Sequence, residues 1–149
     1  MGKGEIRWLA KFLGTSPAEL IKSSAFETRL KLQKATFLLS HLKVAPFTDY
    51  SFSMYVSGPY SPSLASEYYH LDGIRTSRVK LDSGVKRVLK WFSSRDRKWL
   101  EVASSILSIK ERNNNVEKDT VYSVLTMSKP WVTREYFDSV VTELAAKSL

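Results

Sequence analysis

A nucleophilic hydroxyl needs a histidine within reach and a carboxylate to orient that histidine. Serines are plentiful in this chain, but it has only two histidines. His41 falls on an expected helix and His70 near a helix end, and neither lies in a catalytic motif. There is no cysteine, which excludes thiolate nucleophiles, thiolate zinc sites and disulfides. The His-Glu-x-x-His zinc helix and the glycine-rich phosphate loops are also missing from the sequence. Glu117, Lys118 and Asp119 have the residue types of a metal-dependent nuclease, yet three neighbours in sequence need not converge in space. Nothing specifies an enzyme, a metal or a cofactor.

Charge is more informative. The 149 residues carry a net charge of +8, and the excess is unevenly spread. Residues 1–48 are basic on balance, whereas residues 49–74 hold no Lys or Arg and three acids, Asp49, Glu67 and Asp72. Residues 75–98 then hold nine cations, Arg75, Arg78, Lys80, Lys86, Arg87, Lys90, Arg95, Arg97 and Lys98, against Asp82 and Asp96. A solvated face would account for such a block, but its periodicity points further. Arg78 and Lys80 alternate with Val79 and Leu81. On the following helix Lys86, Arg87 and Lys90 lie opposite Val85, Val88, Leu89 and Phe92. A surface of this kind attracts polyanions, because each phosphate it neutralises releases condensed counterions. The acidic segment has a different character. Tyr50, Tyr55, Tyr60, Tyr68 and Tyr69 are concentrated there, and Tyr55, Tyr60, Tyr68 and Tyr69 are candidates for a protein-binding surface.

The elements that must position these residues follow from apolar period and capping signals. Ile6, Leu9, Ala10 and Leu13 mark a first helix ending at Gly14. Ser16-Pro17 opens a short second helix through Ile21. A longer helix at about 27–43 carries Leu30, Leu32, Ala35, Phe37, Leu38, Leu39 and Leu42, leaving Arg29, Gln33, Thr36 and Ser40 on a narrow polar strip. An apolar face this wide predicts a central helix contacted from two sides. Residues 50–56 alternate as a strand, with Phe52, Met54 and Val56 on one face. Ser57-Gly58-Pro59-Tyr60 reads as a turn, and Ser61-Pro62 as the start of a helix that Gly73 terminates. Residues 77–81 read as a second strand and 84–93 as a helix. Trp99, Ala103, Ile106 and Leu107 mark a further helix, and Asn113-Asn114-Asn115 a loop. Asp119 or Thr120 would cap a helix broken by Pro130, and a C-terminal helix presents Tyr136, Phe137, Val140, Val141 and Leu144.

Thr28-Arg29-Leu30-Lys31-Leu32-Gln33-Lys34, followed by Tyr55-Val56-Ser57-Gly58-Pro59-Tyr60-Ser61-Pro62-Ser63-Leu64, resembles the YwgA-like family of small prokaryotic proteins. More distantly it resembles the Panacea (SocA-like) antitoxin domain. The likeness continues through Leu71-Asp72-Gly73-Ile74 and Leu81-Asp82-Ser83-Gly84-Val85, covering about residues 27–92. It implies a helix, a strand and a Gly-Pro-Tyr-Ser turn opening the next helix, in a winged-helix-like centre. The antitoxin likeness also implies binding of a protein client. The helix at 62–72 would take the place of a recognition helix, yet it carries Glu67 and Asp72 and no Lys or Arg, a poor match to the major groove.

These observations predict one α+β domain over residues 1–149, mainly helical, with a winged-helix-like centre and a small β element. The expected protein is cytoplasmic and non-enzymatic, with no cofactor. No apolar run approaches the ~20 residues that span a bilayer. The expected function is nucleic-acid binding, DNA or RNA, through phosphate contacts of the basic block. The alternative is an antitoxin or adaptor that binds protein through segment 49–74. The apolar faces of the terminal helices would also support a two-fold homodimer.

Overall fold

Capping chemistry and apolar period set most of the element boundaries. The computed structural model describes residues 2–149, which form α1 (Lys3–Phe12), α2 (Pro17–Leu20), α3 (Phe26–His41), β1 (Ser53–Tyr55), β2 (Gly58–Tyr60), α4 (Pro62–Tyr68), α5 (Ser83–Ser93), α6 (Arg97–Arg112), α7 (Lys118–Ser128) and α8 (Arg134–Ala146). A single 3-10 turn, Phe47–Asp49, precedes β1. The fold is therefore α+β and mainly helical. Ser16, Ser61, Asp82, Asp96 and Thr133 each accept a hydrogen bond from a backbone N–H in the first turn of the helix they precede. Each such cap is worth about 1 kcal/mol. No helix among the described residues is long and apolar enough to cross a membrane.

Two helices form the centre. α3 packs against α5, α6, β2 and the 3-10 turn, and α6 packs against α3, β2, α7 and α8. The wide apolar face of α3 is explained by this, because the helix is enclosed on several sides. The narrow polar strip is partly enclosed too: Gln33 and Thr36 are buried along with Leu32, Ala35, Leu38 and Leu39. Their polar atoms have partners. Thr36 donates to the Leu32 carbonyl at 2.8 Å. Gln33 Nε2 donates to the Ser61 carbonyl, and its Oε1 accepts from the Ser61 N–H, both at 2.9 Å. One side chain thus pairs with a backbone as a neighbouring strand would. The pairing falls where β2 ends and α4 begins.

The β element differs from expectation. β1 and β2 form an antiparallel hairpin with Ser53 opposite Tyr60, Met54 opposite Pro59 and Tyr55 opposite Gly58. The Gly-Pro-Tyr stretch expected to be a turn is thus the second strand, and the turn itself is Val56-Ser57. Val56, expected on a buried face with Phe52 and Met54, is 87% exposed at the hairpin tip. Phe52 lies before the strand and meets Phe37 edge-on, with ring centroids 5.4 Å apart.

Residues 77–81 form no strand. They alternate half-buried and exposed, but no ladder pairs them. Contact with the helical layer below produces the same period of two as pairing would. The expected second strand of a wing is therefore an extended strap. Arg7 holds the chain just before it by donating to the Leu71 and Ile74 carbonyls, and the Ser77 N–H bonds to the Gly4 carbonyl at 3.1 Å. Smaller boundaries also shift. α3 stops at His41, α4 ends before Gly73, and α7 starts at Lys118, one turn position ahead of the expected cap.

Gln33→Leu keeps the volume of this buried residue and removes both bonds to Ser61. The Ser61 carbonyl keeps the Ala65 N–H at 3.1 Å, so one buried group, the Ser61 N–H, is left unpaired, at a cost of about 1–3 kcal/mol. The substitution is expected to lower unfolding free energy by roughly 1–3 kcal/mol in urea titration, with little change in the denaturant slope.

Candidate nucleic-acid interface and the adjoining tyrosine pocket

α5 carries the basic face as its period requires. Leu89 and Phe92 are buried, Val85 and Val88 are half-buried, and Lys86, Arg87 and Lys90 are exposed on the other side. On the strap before it, Arg75, Arg78 and Lys80 are exposed while Val79 and Leu81 turn inward. Among the described residues none of these six cations forms an ion pair. Asp82, the acid within this stretch, accepts the Val85 N–H at 2.8 Å as the α5 cap.

The other three predicted cations have partners within the chain, although Arg97 and Lys98 stay exposed. Arg95 pairs with Glu143 of α8 at 2.5 Å, and its guanidinium lies 4.5 Å from the Trp99 ring centroid. Arg97 bonds Glu101 at 3.1 Å and stands 4.6 Å over Phe26. Lys98 lies 4.2 Å over Tyr136. Glu143 and Tyr136 of α8 and Phe26 of α3 are distant in sequence and hidden from linear spacing, whereas Arg97 and Glu101 are an i, i+4 pair within α6. With Lys31, the three line an open groove of about 770 Å³ that also holds Glu19, Glu27 and Asp96. Its charges are mixed. A smaller hollow lined by Lys31 and Lys90 shares Leu13 with this groove.

Tyr55, Tyr60, Tyr68 and Tyr69, the second set singled out from sequence, line one pocket of about 350 Å³. Its walls are α3 (Phe26, Arg29, Leu30, Gln33, Lys34), the hairpin and the end of α4. Tyr55 meets Tyr60 at 5.2 Å, and Tyr68 meets Tyr69 at 5.1 Å. Tyr68 is buried, and burial is the main cause that pushes its hydroxyl up to about 12. Tyr55 and Tyr69 are about half exposed at the rim. Tyr50 lies outside the pocket and donates to Glu67. Its hydroxyl is raised first by burial and then by that carboxylate.

Behind the pocket is a polar cluster that residue type and spacing did not single out. Lys34 is 1% exposed, and its ammonium donates to the Pro59 carbonyl at 2.8 Å. Lys129, equally buried, donates to the Val56 carbonyl. Burial pushes Lys34 down to about 7, with Lys129 adding to the effect and Glu101 opposing it. Burial likewise lowers Lys129, again opposed by Glu101. Gly58 makes this possible. Its φ is +98°, and a Cβ there would lie 3.0 Å from Ser105 Oγ and 3.2 Å from both Lys34 Nζ and Ser104 Oγ. The available signal was Lys34 at helical spacing between Leu30 and Leu38, on the apolar side of α3.

The residues weighed for covalent chemistry lie apart. His41 pairs with Glu111, and His70 Nδ1 bonds the Ser66 carbonyl at 2.8 Å within its own helical turn. Asp119 pairs with Arg134 at 2.7 Å and Lys118 with Asp138 at 2.9 Å, fastening α7 to α8. Among the described residues no three His, Asp or Glu side chains are grouped to hold a metal ion. No family model, no curated protein and no solved structure matches this chain.

Lys34 links protonation to stability. The unfolded chain keeps this proton up to its ordinary value of 10.5, whereas the folded chain releases it near 7. Between these values the unfolded state binds more protons, so stability rises with pH. Going from about pH 7.5 to about pH 9.5, this group is expected to add on the order of 2 kcal/mol to unfolding free energy. Lys34→Met should flatten that rise, as measured by urea titration at the two pH values.

Proposed function

We propose that this chain is a nucleic-acid-binding protein that holds phosphates through Arg75, Arg78, Lys80, Lys86, Arg87 and Lys90. The observation that carries this reading is that all six are exposed and none is paired, whereas Arg95 and Arg97 nearby are tied to glutamates. Cations left without carboxylate partners keep their attraction for phosphate, and the affinity comes largely from counterion release. Arg95, Arg97 and Lys98 border the adjoining groove and act there as secondary contacts. α4 carries Glu67 and no Lys or Arg, so the affinity is independent of base sequence in a duplex groove. In this reading the protein is cytoplasmic and works by binding, without a catalytic step or a cofactor.

A second reading has a specific observation in its favour. Phe26, Tyr55, Val56 and Tyr69 are exposed around the tyrosine pocket, the kind of aromatic rim on which protein partners dock. An antitoxin- or adaptor-type module would use this rim and leave the basic block idle.

Fluorescence anisotropy with labelled duplex DNA, single-stranded DNA and RNA separates the two readings. Binding should weaken linearly on a log–log salt plot. In Arg87→Glu/Lys90→Glu it should fall at least tenfold, and the slope should shrink by about 0.9 for each phosphate no longer neutralised. Wild-type protein that binds none of the three at low salt would overturn the nucleic-acid reading and leave the second.

A further inference from the structure

The tyrosine pocket has chemistry that a phosphate-holding surface does not require. Its walls are aromatic rings, and ring faces favour either a cation or another flat ring. Charge decides between these. Arg29 lines the pocket and no Asp or Glu does, so a methylated amine or other cationic ligand would meet like charge and no carboxylate. A flat ring attached to an anion meets the opposite conditions. Arg29 is already held in place, since its Nη1 donates to the Leu20 carbonyl at 2.8 Å and the Lys22 carbonyl at 2.7 Å. Its Nε and Nη2 make no hydrogen bond among the described residues, and its guanidinium lies 5.6 Å from the Tyr69 ring centroid. These donors remain for an anion beside the rings.

The pocket is also continuous with the basic side of the molecule. Leu30 lines both the pocket and the neighbouring groove. Phe26, at the pocket wall, lies directly under the Arg97 guanidinium that borders that groove. Beyond the groove, Lys31 and Lys90 share the next hollow. A strand from α5 to the aromatic rim would cross the groove where Lys31, Arg95, Arg97 and Lys98 stand beside Glu19, Glu27 and Asp96. A volume of about 350 Å³ falls at the small-ligand end of the range for organic ligand sites.

We propose that this pocket takes one unstacked nucleobase, with its phosphate at Arg29, and that the protein accordingly prefers single strands to duplex. The inference rests on the nucleic-acid reading above and adds the ligand of the pocket to it. A base held inside a duplex cannot enter, whereas a single strand can stack a base on tyrosine at no cost in pairing.

The test uses the full chain, short single-stranded and duplex oligonucleotides of equal length, and a free mononucleotide. Wild type is compared with Tyr55→Ala/Tyr69→Ala and with Arg87→Glu/Lys90→Glu. Both tyrosines are half exposed, so their truncation leaves the core intact, and circular dichroism checks this. The double tyrosine variant is expected to lose roughly tenfold in single-strand affinity, with duplex affinity and salt slope unchanged. The charge-reversal variant should weaken both. Equal single-strand affinity of wild type and tyrosine variant, alongside loss in the charge-reversal variant, would overturn the pocket inference and keep the phosphate surface. Mononucleotide binding that the tyrosine variant loses, with no strand bound by wild type, would keep the pocket as a free-nucleotide site and overturn the strand. A protein client captured at the rim, with no nucleotide or strand bound, would overturn both.

Discussion

The β element of this protein is a hairpin of two three-residue strands, too short to hold itself together in water. It is held from beneath by two buried lysine amines. Lys34 of α3 takes the Pro59 carbonyl, and Lys129, just past α7, takes the Val56 carbonyl. These bonds reach the hairpin across 25 and 73 residues of sequence. They close only because Gly58 and the small Ser104 and Ser105 side chains of α6 let the strand descend onto the amines. Gln33 continues the attachment at Ser61, and from Ser61 the direction of α4 is set. If the hairpin lifted from α3, the Val56 and Pro59 carbonyls and both amines would lose their partners together. Breaking such a buried polar arrangement is costly, although burying it is not in itself a large source of stability.

The same anchoring creates the pocket. Tyr55 and Tyr60 come from the hairpin, and Tyr68 and Tyr69 from the end of α4. Neither pair could face α3 unless the junction at Ser61 were fixed. The basic block is built differently. α5 presents its cations because its opposite face packs on α3, and the strap presents its cations because Val79 and Leu81 cover the core. Electrostatic attraction and shaped aromatic contact therefore belong to separate elements, with α3 as their common support.

The helices were legible because each carries its own evidence. Ser16-Pro17 and Ser61-Pro62 specify starts locally, and the 84–93 region separates apolar from basic residues by angle alone. The central position of α3 could be read from the width of its apolar face. What failed did so for physical reasons. Gly58-Pro59 has turn composition, but Pro59 can sit in a two-stranded ribbon because a ribbon leaves outer edges where no N–H is needed. Residues 77–81 show strand alternation because burial on one side, without pairing, imposes the same period. The burial of Gln33 and Thr36 is hidden in the sequence because their partners are a distant backbone and their own helix. Lys34 and Lys129 were passed over, since a lysine's charge argues for solvent until a carbonyl is shown to meet it. The tyrosines were found as a group, although their convergence on one cavity depends on the hairpin register.

The strap has a consequence for how its charges behave. From Arg78 to Leu81 the backbone makes no hydrogen bond to another backbone group among the described residues. The cations of α5 are held by a rigid helix, but those of the strap hang from a segment anchored at its ends and by two apolar side chains. Such a segment can follow the irregular path of a sugar–phosphate chain, giving up conformational entropy as it does so. The result is a charged surface with one stiff half and one compliant half. In the nucleic-acid reading proposed above, a surface of this kind tolerates many backbone shapes and discriminates little among them, which leaves selectivity to other parts of the molecule.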